Sequence, residues 1–207
     1  MKIYDITAKI NDSLPVYGGK RPAVIKLVKI EEGAAYNFSR IEATTHTGTH
    51  ADMPSHFIDG SATCDTIALD YFYGRAKLIR IQTRTHITKA DLARHEIPAG
   101  IILLIDTGQS MYMSKKSLHE NFIALTPEAA QYLVEKQVKT VGIDYLSIDP
   151  YGDDDFPVHK ILLGNNICAL EGLVLAHVPE GEYTISALPL NIEDGDGSPV
   201  RAILVTL

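Results

Sequence analysis

Short apolar runs rich in Ile and Val, broken by polar and Gly- or Pro-containing segments, recur along most of the chain. Their spacing predicts strands at Met1 to Ala8, Ala23 to Ile30, Phe38 to Thr45, Ala76 to Ile81, Ile101 to Asp106, Thr140 to Asp144, Ile167 to Leu170 and Arg201 to Leu207. Helical signals are fewer. The clearest is Thr126-Pro127-Glu128, an N-cap threonine, a proline at the first helical position and an acid in the first turn, ahead of Ala129, Ala130, Leu133 and Val134. A shorter helix is expected from Thr88-Lys89-Ala90-Asp91. Strand, helix and strand alternate from Ile101 to Asp144, while the N-terminal third carries strand signal alone, so the expectation is an α/β fold with a mixed sheet and a few packed helices. No fixed-period repeat and no linker-like stretch interrupts it, which predicts one domain over residues 1–207. The segment from Gly108 to Ala124 is long for a structureless connection and carries Met111, Tyr112, Met113 and Phe122; it is expected to cover a site.

Composition narrows the function classes. With 45% hydrophobic and 22% charged residues over 207 positions, the chain is ordinary globular material. Nineteen Lys and Arg against 26 Asp and Glu leave a net charge of −7, which argues against nucleic acid and against an anionic membrane as partners. The start meets Asp5 before any apolar run of signal-peptide length, and the expected location is cytoplasmic. Only Cys64 and Cys168 are present, so no disulfide framework is expected.

Three of the eight histidines fall in Thr45-His46-Thr47-Gly48-Thr49-His50-Ala51-Asp52-Met53-Pro54-Ser55-His56-Phe57. Threonines, Gly48 and Pro54 disfavour a helix that would align His46 with His50. A straight strand separates the same two residues by four rises of ~3.3 Å, too far for bonds of about 2 Å to one ion. The backbone must therefore bend, and Gly48, which lacks a Cβ, is placed for it. His46, His50 and Asp52 with water then make a three-ligand site with an open position, the catalytic metal pattern. The alternative is a polar loop whose histidines cap neighbouring strands.

Glu171 interrupts the apolar run from Ile167 to Leu175, where an ionised carboxylate is costly unless paired. Lys160 or an arginine would satisfy it as a salt bridge; His159, brought back by the Gly164-Asn165-Asn166 turn, is the other candidate. Asp153-Asp154-Asp155 lacks EF-hand spacing and is expected to be a solvated turn. His86, His95, His119 and His177 are assigned surface or capping roles, and Asp194 to Ser198 a turn before the last strand. No Gly-x-Ser-x-Gly elbow offers a serine route.

The spaced residues His46, Gly48-Thr49-His50, Asp52, Pro54 and His56 resemble the His-x-Gly-Thr-His-x-Asp-x-Pro-x-His signature of the cyclase-like metal-dependent hydrolases, a group that includes bacterial kynurenine formamidases and isatin hydrolases. The resemblance extends through Asp5-Ile6-Thr7, Leu125 to Ala130, Val141 to Asp144, Ser147 to Pro150, His159 to Leu173, Leu188 to Leu190 and Asp196 to Arg201. It implies a swivelling β/α/β fold in a homodimer or larger assembly, with His46, His50 and Asp52 on one metal. The formamidase branch implies two Zn²⁺ ions, Asp52 bridging and His159 and Glu171 completing the second site, with His56 as catalytic acid/base; the isatin-hydrolase branch implies a single Mn²⁺. Where formamidases commonly carry a tryptophan, this chain has none and shows Tyr17 after Leu14-Pro15-Val16. Gln109 after Thr107-Gly108 is a second departure from the formamidase pattern.

The expected activity is hydrolysis of a small-molecule amide, an aryl formamide first and a cyclic amide as the alternative, by a metal-activated water. A binding protein that keeps the ligands without turnover is the competing class, against which the retained His56 counts. Tyr17, Phe57 and the Met111-Tyr112-Met113 stretch are the candidate pocket walls.

Overall fold

A computed structural model describes residues 1–18 and 21–206. Along them run β1 (Ile3–Asp5), β2 (Ala23–Val28), β3 (Phe38–Glu42), β4 (His50–Asp52), β5 (Tyr73–Arg80), α1 (Lys89–Leu92), β6 (Ile102–Asp106), α2 (Pro127–Glu135), β7 (Thr140–Ile143), α3 (Pro157–Gly164), β8 (Cys168–Glu171), β9 (Gly181–Ser186), β10 (Gly197–Pro199) and β11 (Ile203–Thr206). Nine strands make one sheet in the order β1-β11-β9-β5-β6-β7-β8-β4-β10, while β2 and β3 form a separate antiparallel hairpin.

Strands β5 to β8 are parallel neighbours, and each is joined to the next through a helix, the crossover that parallel pairing requires. Both faces of these strands are covered, which is why they read as continuous apolar runs; every residue of β6 is buried. Successive side chains serve opposite cores. Leu78, Leu104 and Leu170 meet Tyr183, Ile185 and Leu204 on one side. Ile79, Leu103 and Ile105 pack on the other against Leu92, Ala130, Leu133 and Leu162 from the three helices. The antiparallel flanks of the sheet thus curl over one face and the helices cover the other, the α/β fold with a mixed sheet that the pattern predicted. Gly142 shows how closely the layers approach, since a Cβ there would lie 2.6 Å from side-chain atoms of both Leu104 and Leu173.

Both helix starts form as the sequence indicates. Thr126 accepts from the Ala129 N–H at 3.2 Å, and Thr88 with Asp91 makes a reciprocal capping box. Other elements differ from expectation. The first strand shrinks to Ile3–Asp5, and Leu207, at the end of the last one, lies outside the described residues. Strands β4, β9 and β10 and helix α3 were not foreseen, and the turn expected at Asp194 to Ser198 runs directly into β10. The long 108–124 segment contains a 3₁₀ turn at Ser110–Ser114, and it is fastened by Asp144, whose buried carboxylate accepts from the N–H groups of Thr107, Gln109 and Ser110. Tyr112 and Met113 pack with Leu14, Phe122 and Tyr145 in a third, smaller core.

Candidate metal centre

Strand pairing assembles the first part of the site. β4 lies antiparallel to β8 with His50 opposite Glu171, and Asp52, two residues on from His50, projects from the same face. The approach depends on two glycines with left-handed backbone, Gly48 (φ +68°) and Gly172 (φ +65°). A Cβ on Gly172 would fall 2.3 Å from the Gly48 carbonyl oxygen, so no side chain fits between the turn and the end of β8. Thr49 locks the junction: its hydroxyl donates to the Gly172 carbonyl at 2.6 Å and accepts from the Ala8 N–H at 2.7 Å. The bend inferred at Gly48 is therefore present, and it returns His46 to within 2.7 Å (Nδ1) of Asp52 Oδ1.

His159 arrives from α3, the eight-residue helix begun by Pro157. Asp149 holds that helix start, accepting from the N–H groups of Val158 and His159 at 2.9 Å each and contacting His159 Nδ1 at 2.6 Å. The other ring nitrogen, Nε2, faces Glu171 Oε1 at 3.3 Å and Asp52 Oδ2 at 3.5 Å. His50 repeats the arrangement, with Nδ1 on the Gly48 carbonyl at 2.9 Å and Nε2 at 3.3 Å from Asp52 and 3.4 Å from Glu171. So does His46, whose Nε2 meets Asp196 at 3.0 Å while Nδ1 faces Asp52. Each of the three imidazoles anchors one nitrogen outside the cluster and turns the other inward, His50 and His159 onto both buried carboxylates and His46 onto Asp52 alone, the orientation that metal-ligating histidines show. Neither Lys160 nor an arginine reaches Glu171 among the described residues.

The electrostatics match a site built for a cation. Burial alone would push the His50 pKa down, but Asp52 and Glu171 outweigh it and raise it from 6.5 to about 10. His159 is likewise depressed by burial yet held well above its ordinary value by Asp149, Asp52 and Glu171. Burial raises Asp52, and the facing histidines pull it well below the usual carboxylate range. Without metal, these imidazoles therefore carry protons in place of the ion. Asp52 Oδ2 is buried and has no hydrogen-bond partner. In this nearly dry setting an orphaned carboxylate oxygen fits a metal ligand.

A pH dependence follows. Because the folded pKa of His50 lies above its unfolded value of 6.5, its stabilising contribution in metal-free protein is complete below about pH 6.5 and lost as pH rises through about 10. Chelator-treated protein is expected to melt at progressively lower temperature across that window, and metal uptake is expected to release protons at neutral pH and to tighten as pH rises. A melting temperature that holds steady or rises over the window would contradict the charge assignment.

The cluster opens into a cavity of about 420 Å³, the size of a small-molecule site. His56, in the Pro54–His56 turn, stacks on His46 at 4.0 Å between ring centres. Burial lowers its pKa below 6.5, so the imidazole is neutral at pH 7. Phe57 stacks on His159 at 4.8 Å, and Tyr17 also lines the cavity with its ring edge-on to Tyr151 at 5.3 Å. Met111, Tyr112 and Met113 do not line this cavity, correcting their assignment as pocket walls; Tyr112 and Met113 pack with Leu14 and Tyr145 in the third core, and Met111 is exposed. Phe156 was missed. It lines the cavity from the N-cap of α3 in a left-handed conformation (φ 46°), 5.5 Å from the Phe57 ring. Asp149 and Asp196 were missed as histidine partners, and Asp196 corrects the reading of its segment as a plain turn.

The chain is similar to several known proteins. The "Putative cyclase" family model matches residues 4–150. The kynurenine formamidase of Geobacillus thermodenitrificans is 35% identical over 202 residues, covering 97% of this chain and 95% of the relative. That of Bacillus cereus is 32% identical with the same coverage. A solved structure described as a potential metal-dependent hydrolase with cyclase activity superimposes with a TM-score of 0.85 at 38% identity, over 98% of this chain and 96% of the other. Isatin hydrolase A from Labrenzia aggregata gives 0.88 at 25% identity, over 100% and 94%. With the family model spanning well over half of its length and relatives above 30% identity matched nearly end to end, the chain belongs to the Cyclase family.

Proposed function

We propose that the chain is a metal-dependent amidohydrolase acting on a small aryl formamide. In this reading His46, His50 and Asp52 would hold one ion, Asp52, His159 and Glu171 would hold a second, and His56 would serve as acid/base. The observation that carries this reading is the convergence of three outward-anchored imidazoles on buried Asp52, two of them also on Glu171, with Asp52 Oδ2 buried and without a hydrogen bond. The nitrogen and oxygen donor set, without thiolate, suits Zn²⁺, with Mn²⁺ as the alternative.

The chemistry a divalent ion would supply there is polarisation of an amide carbonyl and activation of water near neutral pH. His56, neutral at pH 7, is poised to accept the proton of the attacking water and to return it to the departing nitrogen. The water oxygen ends on the acyl carbon as the C–N bond breaks, and the products are formate and an arylamine. Tyr17, Phe57 and Phe156 supply aromatic walls for a planar substrate. Asp149 and the Gly48 carbonyl hold the His159 and His50 rings with Nε2 turned inward.

The formamidase relatives support the aryl formamide, and the isatin hydrolase neighbour at 25% identity supports cyclic amides as a second reading. A panel of both classes, assayed for formate or ring-opened acid with and without chelator, tests the two. Tyr17→Trp is expected to raise kcat/KM on N-formylkynurenine by about three- to tenfold, the size of an added aromatic contact of 0.5–1.5 kcal/mol. An efficient wild-type enzyme that gains nothing from the change would show that Tyr17 does not limit the pocket.

A homodimer or larger assembly is part of the proposal. It is supported by the β2–β3 hairpin, which exposes Val24, Leu27, Phe38 and Ile41 and whose roots at Gly18 and Thr44 reach the cavity. A cytoplasmic location is supported by the free, buried thiols of Cys64 and Cys168.

A further inference from the structure

We propose that Asp196 is a positioning residue for the metal centre, one carboxylate oxygen of which orients both His46 and His56. The inference rests on the reading of His46 as a ligand and His56 as acid/base. Asp196 Oδ2 lies 3.0 Å from His46 Nε2 and at an ion-pair distance of 3.4 Å from His56 Nδ1. The two rings that share it stack with an interplanar angle of 28°. Oδ1 accepts from the Thr45 hydroxyl at 3.1 Å, so the carboxylate is held from both ends.

The backbone around Asp196 is built to bring it there. The Met53 N–H donates to the Asp196 carbonyl at 3.0 Å, and the next residue, Gly197, pairs with Asp52. A Cβ at position 197 would fall 2.7 Å from His46 Cε1, so only glycine allows the strand to approach the ring this closely. On its far side Asp196 borders a second cavity of about 690 Å³, lined also by Ser55, Thr63 and Thr66, and its side chain is 45% exposed. The charge is therefore partly hydrated, and retaining it costs far less than burying it would.

The consequence is a choice of tautomer. A carboxylate that accepts from Nε2–H leaves Nδ1 of His46 as the lone pair aimed at Asp52, 2.7 Å away, where an ion would be shared. The same oxygen facing His56 Nδ1 keeps that ring in its stack on His46 and leaves Nε2 to exchange the proton.

The test compares wild type, Asp196→Ala and Asp196→Asn in three readouts: zinc affinity by chelator competition, the His46 Nε2–H resonance of zinc-loaded protein by ¹H–¹⁵N NMR, and kcat against KM at saturating zinc. Asp196→Ala is expected to weaken zinc binding by about 10- to 100-fold, the usual effect of removing an outer partner of a ligand histidine. It is also expected to lose the hydrogen-bonded Nε2–H signal and to lower kcat by about tenfold or more with KM within twofold. Asp196→Asn, whose amide oxygen still accepts from His46, is expected to recover most of the zinc affinity. Zinc affinity and Nε2–H signal both unchanged in Asp196→Ala overturn the His46 role, and an unchanged kcat at saturating zinc overturns the His56 role. A wild-type chain that takes up zinc but cleaves no amide refutes the proposed activity instead, and leaves the zinc and NMR readouts to decide on Asp196.

Discussion

Asp52→Ala is expected to lose bound metal and amide hydrolysis together, with turnover reduced by about 10³ or more. Among the described residues Asp52 alone meets all three cluster imidazoles at ion-pair distance: His46 at 2.7 Å, His50 at 3.3 Å and His159 at 3.5 Å. Its removal takes a ligand from both proposed ions at once, whereas loss of His46 or His159 takes one ligand from one ion. The carboxylate also balances imidazoles whose pKa values are raised in the metal-free protein, so the alanine leaves His50 with Glu171 alone and His159 with Glu171 and Asp149. Asp52→Asn keeps the shape and removes the charge, which separates loss of metal from loss of packing. Elemental analysis beside a formate assay checks both variants; an Asp52→Ala protein with full metal content and full turnover would remove the site assignment.

His56→Ala is expected to behave differently: metal content stays near that of wild type while kcat falls by about 10² to 10⁴, the range for a general acid/base. The distinction is a sharp one here because the ligand atoms of His46, Asp52 and His56 lie within 4.8 Å of one another, close enough for one ion to reach all three. His56 differs from the proposed ligands in two respects. Burial lowers its pKa below 6.5 where the neighbouring carboxylates raise those of His50 and His159, and its ring stacks on His46 at 4.0 Å without a hydrogen bond to Asp52 or Glu171. Since the neutral ring is the proton acceptor, the acid limb of the wild-type kcat–pH profile is expected below pH 6.5 and to be absent in the variant. Metal lost in parallel with activity would make His56 a ligand.

The parts of the fold that were legible in the sequence are those whose signals are local. Ile102–Asp106 and Thr140–Ile143 are buried on both faces and announce it by unbroken apolar runs; Thr88 and Thr126 cap helices within three residues of themselves. β4 has no such signal, because His50 and Asp52 face the site and its register against Glu171 is set far away in sequence. β10 reads as a turn because Gly197 is selected by the closeness of His46, a contact across about 150 residues. Helix α3 did leave a trace, Pro157 at its start and Gly164-Asn165-Asn166 after it, though it spans only eight residues. β9 left one as well in the alternation of buried Tyr183 and Ile185 with outward Glu182 and Thr184.

The site divides in the same way. His46, His50, Asp52 and His56 lie within one short motif, and Glu171 was conspicuous as a charge in an apolar strand. Asp149, Phe156 and Asp196 were silent because each acts across a loop on a residue that the chain brings back only in three dimensions. Met111-Tyr112-Met113 misled for the opposite reason: large apolar residues in a long loop suit a pocket wall, a small core or the surface equally well, and only packing puts Tyr112 and Met113 in the core and leaves Met111 exposed.

The most direct measurement is formate release from an aryl formamide by chelator-treated protein as zinc is added back in known equivalents. A centre with Asp52 shared between two ions predicts negligible release without metal and recovery that reaches its plateau at about two equivalents per chain, falling to about one in Glu171→Ala. Full hydrolysis by the metal-free protein would contradict metal-dependent cleavage outright, and a plateau at one equivalent that Glu171→Ala leaves unchanged would contradict the shared, two-ion centre.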